Sequence, residues 1–137
     1  MNNRFVFLTP AFNCEKEIIQ TILTMISQSY KEWRAIIIDD VSTDNTTTAA
    51  KELVENFGIR EKFTFVRRDE KYGEVRNTIE ELEWIDDDEI IVRLDGGDWL
   101  LDNNTLYYLN EIYKQGDPAF VWTNQRWGFT FKNISVI

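Results

Sequence analysis

The chain has no histidine and a single cysteine, Cys14. The first absence removes Ser-His-Asp triads, Cys-His nucleophile pairs and every histidine-based zinc site. The second removes any internal disulfide. Basic residues are also in short supply. The net charge of −9 leaves no cationic surface to displace counterions, so no nucleic acid partner is expected. The apolar runs span only a few residues, too short for a membrane segment. The opening MNNRFVFLTPAF is broken by Pro10 and Asn13 and lacks a signal-peptide pattern, which gives a cytoplasmic expectation. Asn-x-Thr/Ser triplets at Asn45, Asn103 and Asn133 then read as chance. Any chemistry must run on carboxylates, basic side chains, hydroxyls, backbone amides or a borrowed metal.

What is present fits one folded domain. The 137 residues are 43% hydrophobic, with five Trp, five Tyr and nine Phe, enough to bury a core. Short β-rich runs alternate with helical patterns, and strands are expected near 4–9, 34–39, 63–67 and 89–94. Between and after them lie four helical patterns. EKEIIQTILTMISQ carries Ile18, Ile19, Ile22, Leu23 and Ile26 on one face. TTTAAKELVENF carries Ala49, Ala50, Leu53, Val54 and Phe57, with Gly58 placed as a C-cap. EVRNTIEELEWI turns Val75, Ile79 and Leu82 inward, and NTLYYLNEIYKQG turns Leu106, Leu109 and Ile112 inward. The three consecutive Ile of RAIIIDD suit a strand covered on both faces. The alternation predicts an α/β domain with a mostly parallel, Rossmann-like sheet flanked by helices. After Gly116, AFVWTNQRWGFTFK predicts a short aromatic hairpin, with Trp122 and Trp127 as packing residues.

In a parallel sheet the strand ends share one edge, and ligands bind in the crevice outside it. That edge collects TPAFN, DDVSTDN, RRDEKYG and DGGD, with Asp39, Asp40, Asp44, Asp69, Asp95 and Asp98. The dense basic patch lies beside them: Arg67, Arg68 and Lys71, with Arg76 just inside the next helix. Carboxylates accept hydrogen bonds from base or ribose hydroxyls or hold a divalent cation, and arginines neutralise phosphate through paired bonds. Arg93, interrupting an apolar strand, calls for an acid partner such as Asp95.

FLTPAFNCEKEIIQTILTMISQSYKEWRAIIIDDVSTDNT resembles the opening of the inverting family-2 glycosyltransferases, which have the GT-A fold. Their strand ending in Pro-x-Tyr-Asn is matched by Pro10-Ala11-Phe12-Asn13, their Gln-x-Tyr by Gln28-Ser29-Tyr30, and their Asp-Asp-x-Ser-x-Asp by Asp39 to Asp44. Gly73 with Arg76-Asn77 is similar to the family's Gly…Ala-Arg-Asn segment, and LDGGDWL to its Leu-Asp-x-Asp-Asp motif. The motif order is kept over roughly residues 4–102. The resemblance implies a nucleotide diphosphate sugar as donor. Pro10 and Phe12 would flank the base, Asp40 would accept from it, the loop after strand three would hold base or phosphates, and Asp95 would face ribose or metal. The implied donor-contact set is Thr9, Pro10, Phe12, Asp39, Asp40, Arg67, Arg68, Arg76 and Asp95. The implied metal is Mn or Mg, on Asp95 and Asp98.

Two departures from the family pattern bear on function. The middle Asp of Asp-x-Asp-Asp, the family's principal metal ligand, falls on Gly97, which has no side chain to ligate with. In addition, family members continue into an acceptor-binding half that supplies the catalytic base. Residues 1–137 are therefore expected to form a single donor-binding domain without that half, with catalytic residues and acceptor unassigned. Each motif also has a plainer reading. DGGD can be an acidic turn, Asp39-Asp40 an Asx turn before a helix capped by Ser42 or Asp44, and Arg67–Arg76 a solvated loop. Competing functions are a degenerate nucleotide- or partner-binding module, and a phospho-receiver domain. The receiver would need an acceptor Asp ending strand three, where Arg67-Arg68 stand, and a Lys ending strand five, which runs into Trp122-Thr123. Sugar-nucleotide synthesis lacks its Gly-rich phosphate loop.

Overall fold

The computed structural model describes residues 2–116, 118–121 and 123, without the side chains of Glu74 and Thr78. Four strands, β1 (Arg4–Ala11), β2 (Trp33–Asp39), β3 (Phe63–Arg67) and β4 (Glu89–Arg93), form a sheet in the order β3-β2-β1-β4, and every neighbouring pair is parallel. Four helices, α1 (Glu17–Ile26), α2 (Thr46–Asn56), α3 (Glu74–Glu81) and α4 (Thr105–Gly116), follow the strands in turn. The expected strands are present, β1 and β2 each slightly longer than their patterns. The aromatic hairpin after Gly116, with Trp122 and Trp127, lies outside the described residues.

The pleat explains the run of apolar residues in β1 and β2. Phe5, Phe7, Ala35 and Ile37 join a cluster with Ile18, Ile22 and Met25 of α1, Ala50 and Val54 of α2, and Leu106 of α4. Their neighbours Val6, Leu8, Ile36 and Ile38 form the opposite core, with Val66 and Ile85 against it. Both faces are therefore dry, and neither strand can alternate polar with apolar. Trp33 bridges Phe7 and Phe63 edge-on, with centroids 5.6 and 5.8 Å away.

The end of α2 follows its sequence signal. Gly58 takes φ +66, its N–H bonds the carbonyl of Glu55 at 2.9 Å, and Ile59 N–H bonds that of Val54 at 3.1 Å. This is a Schellman closure, whose left-handed position favours glycine. Phe57, expected inward, sits at the C-cap and is exposed.

α3 is the larger correction. Val75 and Ile79 were expected inward but are 71% and 60% exposed, and Leu82 is exposed as well. The buried side of this helix carries Asn77 and Glu81. Arg68, at the end of β3, reaches under the helix to Asn77 Oδ1 at 2.8 Å and to the Glu81 carboxylate. A buried charge must be paired, and that pairing turns the polar side of α3 to the sheet. The apolar period marked a stripe correctly, but not which side of the helix the sheet would take. In α4, Leu106 is buried and Leu109 packs against the core, whereas Ile112 is exposed. Asn110 is buried instead, because its side chain binds Asn3 and receives the Tyr30 hydroxyl at 3.2 Å.

Candidate functional site

Because β1 to β4 are parallel, the loops after all four leave the same edge. The order β3-β2-β1-β4 places the reversal of strand order between β1 and β4, where such sheets open a crevice. Backbone bonds tie the loops to one another. Asp40 N–H donates to Ala11 O, Gly96 N–H to Pro10 O and Arg68 N–H to Asp39 O, each at 2.9 Å. Asp40 and Asp95 thus lie on one edge.

The first two loops are laced by side chains. Asn13 N–H donates to Ser42 Oγ at 3.0 Å, and Thr43 N–H to Asn13 Oδ1 at 2.7 Å. Cys14 N–H donates to Thr46 Oγ1 at 2.9 Å, and Glu15 N–H to Asp44 Oδ2 at 3.1 Å. Two non-glycine residues there have positive φ, Asn13 at 46° and Val41 at 65°. Asparagine tolerates that region, but a β-branched valine is strained in it, and the lacing holds the strain in place.

The expected donor residues fall into different environments. Pro10 is partly buried on β1, and Phe12 stands 44% exposed at the mouth of the first loop. Thr9 is wholly buried with an unpartnered hydroxyl, so its side chain reaches no surface. Asp39 is buried and spent on its own loop. Oδ1 accepts Ser42 N–H at 2.9 Å, while Oδ2 accepts the Thr47 hydroxyl and Arg67 Nη1. Arg67 also donates to Ser42 O at 2.9 Å. The carboxylate of Asp40, a residue only 5% exposed, accepts Tyr72 N–H at 2.7 Å and Gly73 N–H at 2.9 Å. Burial opposes its ionisation, but those two amides, the Asn77 amide and the Lys71 charge outweigh burial and hold it below the ordinary range. The Asx-turn reading of Asp39 holds, but the N-cap of α2 is Asn45, not Ser42 or Asp44; Asp44 stands one residue earlier and still accepts Thr46 N–H at 3.0 Å.

The basic patch is mostly engaged. Arg68, partly buried, is engaged with Asn77 and Glu81, and Arg76 pairs with Glu80 at 2.9 Å and Glu70 at 3.6 Å while lying over the Tyr72 ring. Burial pushes the Glu81 carboxyl up despite Arg68, and its Oε2 has no partner. Lys71 differs. Among the described residues it is the cation of this edge with no carboxylate in ion-pair range, and its Nζ lies 3.6 Å from the centre of the Phe12 ring.

On the other side of the crevice, Asp95 pairs with Arg93 Nε at 3.3 Å, the pairing the sequence called for. Asp98 N–H closes the turn onto Asp95 O at 2.9 Å. Burial and the neighbouring charge of Asp95 push the Asp98 carboxyl up. The glycines between them have separate reasons. A Cβ at Gly96 would lie 2.9 Å from Ala11 Cβ and 3.0 Å from Cys14 Sγ, whereas one at Gly97 would meet nothing within 4 Å. Neither has positive φ, so the turn needs closeness at Gly96 and no unusual backbone angle.

Sequence reasoning missed the residues that carry this loop. Thr21 and Thr24, buried on one side of α1, and Gln28, buried just past its C-cap, bind the backbone of 96–106. Their signal was available: three polar residues at helical spacing beside Ile18, Ile22 and Met25. No group of three or more Cys, Asp or Glu fit to hold a metal occurs among the described residues. No helix among them is long and apolar enough to cross a membrane.

Residues 6–134 match the profile of the family described as Glycosyl transferase family 2. A 51-residue stretch is 41% identical to EpsE of Bacillus subtilis (strain 168), whose name assigns it provisionally to the glycosyltransferases, and covers 37% of this chain and 18% of that protein. Among solved structures, the mannosyltransferase PcManGT of Pyrobaculum calidifontis, in complex with GDP-Man and Mn2+, has TM-score 0.79 at 22% identity. That match covers 92% of this chain and 36% of that one. Residues 1–349 of S. aureus TarS, in complex with UDP-GlcNAc, have TM-score 0.70 at 20% identity, covering 82% and 31%. These structural likenesses establish the GT-A fold. The chain spans less than a fifth of EpsE and about a third of the two solved structures.

Proposed function

The chain belongs to glycosyl transferase family 2, and on that premise we propose that its C-terminal sheet edge binds a nucleotide diphosphate sugar and serves transfer of the sugar to an acceptor hydroxyl with inversion. In that reaction the acceptor oxygen bonds the anomeric carbon from the face opposite the diphosphate. The anomeric C–O bond breaks, and the nucleoside diphosphate leaves with the electron pair. The acceptor proton passes to a base outside the residues assigned here.

One observation carries the reading. At the switch-point crevice an exposed ring, Phe12, lies under the one cation of this edge without an acid partner among the described residues, Lys71, and the loop bearing Asp95 and Asp98 is packed against the first loop at Gly96. The Phe12 ring and Pro10 offer the apolar wall a nucleobase stacks on. Lys71 and the exposed faces of Arg67 and Arg76 supply positive charge for a diphosphate. Asp40 accepts at the back of the pocket and, through the amides of Tyr72 and Gly73, holds the loop that carries Lys71. Asp39 and Thr9 contribute by building the loops.

The donor set fits a hard divalent cation in part. Asp95 and Asp98 are two oxygen ligands whose mutual repulsion a cation relieves, although Asp95 Oδ1, buried and without a hydrogen bond, already faces Arg93 Nε at 3.3 Å, a charge the cation would have to displace or share. Mn or Mg is held in such sites by one or two carboxylates completed by phosphates and water. Bound there, the metal would neutralise charge building on the leaving diphosphate. The reading of a nucleotide-binding module without turnover is favoured by one observation, Gly97 in the family's ligand position. Calorimetric titration with UDP- and GDP-sugars, with and without manganese, tests binding, and release of nucleoside diphosphate separates turnover from binding alone. Absence of binding to any of them would overturn the proposal.

A further inference from the structure

Thr21 is wholly buried on α1, between Ile18, Ile22 and Met25. A hydroxyl in apolar surroundings costs free energy unless it is hydrogen-bonded. This one faces the carbonyl of Asp98 at 2.6 Å, with those of Gly96 and Glu17 each at 3.2 Å. The same side of the helix continues downward. Thr24 donates to Thr21 O at 2.8 Å and accepts Leu100 N–H at 3.1 Å. Gln28 donates to Asp102 O at 2.9 Å and accepts Leu106 N–H at 3.1 Å. The segment from Gly96 to Leu106 therefore hangs from Thr21 and Thr24 of α1 and from Gln28 just past its end, with Thr21 at the level of the two acids.

This inference rests on the proposed use of Asp95 and Asp98 as cation ligands. We propose that Thr21 is the positioning residue of that acid pair: its bond to the Asp98 carbonyl fixes the turn so that both carboxylates address one cation, although Thr21 touches neither cation nor donor. The turn needs such a support. Gly97 adds no side chain to brace it, the space around Gly97 is open, and backbone fixing falls to the Asp98 N–H bond, Gly96 N–H on Pro10 and Thr21. Groups that orient metal ligands from behind commonly change metal affinity by about 10- to 100-fold when removed.

The test uses Thr21→Val, which keeps the shape and deletes the donor, and Thr21→Ser, which restores the donor. Manganese affinity is read by calorimetry or by the spin-resonance signal of free manganese, in the presence of UDP or GDP, alongside nucleotide affinity in chelator. The expected result is manganese affinity about tenfold weaker in Thr21→Val, unchanged metal-free nucleotide affinity, and recovery in Thr21→Ser. Equal losses with and without metal would make Thr21 a general structural residue and overturn the proposal, as would manganese affinity equal to wild type. Should Thr21→Val fail to fold, Thr21→Cys replaces it: affinity for manganese equal to that of Thr21→Ser overturns the proposal, and a selective loss supports it. If wild-type protein binds nucleotide with no manganese effect, the cation reading itself fails and takes this inference with it. If wild type shows the effect and Thr21→Val keeps it, only the positioning role fails.

Discussion

Gly96→Ala is predicted to unfold more easily and to loosen the crevice, whereas Gly97→Ala is predicted to do neither. The new methyl at position 96 would lie 2.9 Å from Ala11 Cβ, 3.1 Å from Ala11 Cα and 3.0 Å from Cys14 Sγ. Comfortable carbon contacts begin near 3.5 Å, so something must move by about half an ångström. Ala11 cannot yield easily. It pairs in register with Asp39, and its carbonyl accepts Asp40 N–H. The strain therefore falls on the loop and stretches the bond from Gly96 N–H to Pro10 O, now 2.9 Å. Overpacking of this kind costs about 1–3 kcal/mol, and a weakened hydrogen bond adds roughly 0.5–1.5 kcal/mol. For a domain of this size that lowers the midpoint of thermal unfolding by roughly 4–15 °C. Position 97 has open space and ordinary φ, so its alanine variant should stay within about 0.5 kcal/mol of wild type. Urea and thermal unfolding of the two variants side by side give the answer. A Gly96→Ala protein as stable as Gly97→Ala would refute the close approach of the two loops.

Three other outcomes are expected. Gly97→Asp restores the missing ligand in open space, and calorimetry should show stronger manganese-dependent binding of a nucleoside diphosphate; binding with no added metal dependence would count against the metal corner. Arg68→Met leaves Glu81 buried without its cation and should cost about 3–5 kcal/mol in urea unfolding, with a loss under 1 kcal/mol showing that α3 does not depend on the pair. The third concerns pH. Asp40 has its carboxyl pKa lowered in the folded state, so its contribution to stability is complete above the unfolded value near 3.8 and fades as pH falls below it. The stability gap between wild type and Asp40→Asn should narrow on acidification from pH 5 toward pH 3, and a constant gap would deny the two amide bonds a stabilising role.

Much of this was written locally in the chain. The β-branched runs of β1 and β2, the Gly58 closure and the clustering of acids at strand ends follow from period, capping and topology, each of which acts over a few residues. The α3 orientation was not legible, because Arg68 and Glu81 are 13 residues apart and only their pairing decides which side of the helix the sheet covers. The fate of the basic patch was hidden for the same reason. Arg67 and Arg68 look alike in the sequence, yet one closes onto Asp39 and Ser42 while the other binds Asn77 and Glu81 of α3. Lys71 stands out because its neighbours are taken. Asp40 shows the limit of motif reading: the carboxylate sits at the expected edge, and two backbone amides 32 and 33 residues on, with no side-chain signature, hold it.

The central claim, that the loops after β1 to β4 form one donor cleft, is tested most directly by mapping backbone amide shifts while adding a UDP- or GDP-sugar with manganese. The account predicts the largest changes at Phe12–Cys14, at Asp40–Asp44, at Arg68–Gly73 and at Leu94–Asp98, with the acidic turn Asp86–Asp88 at the opposite edge unmoved. Saturating changes confined to Asp86–Asp88, or to the exposed stripe of α3, would contradict it.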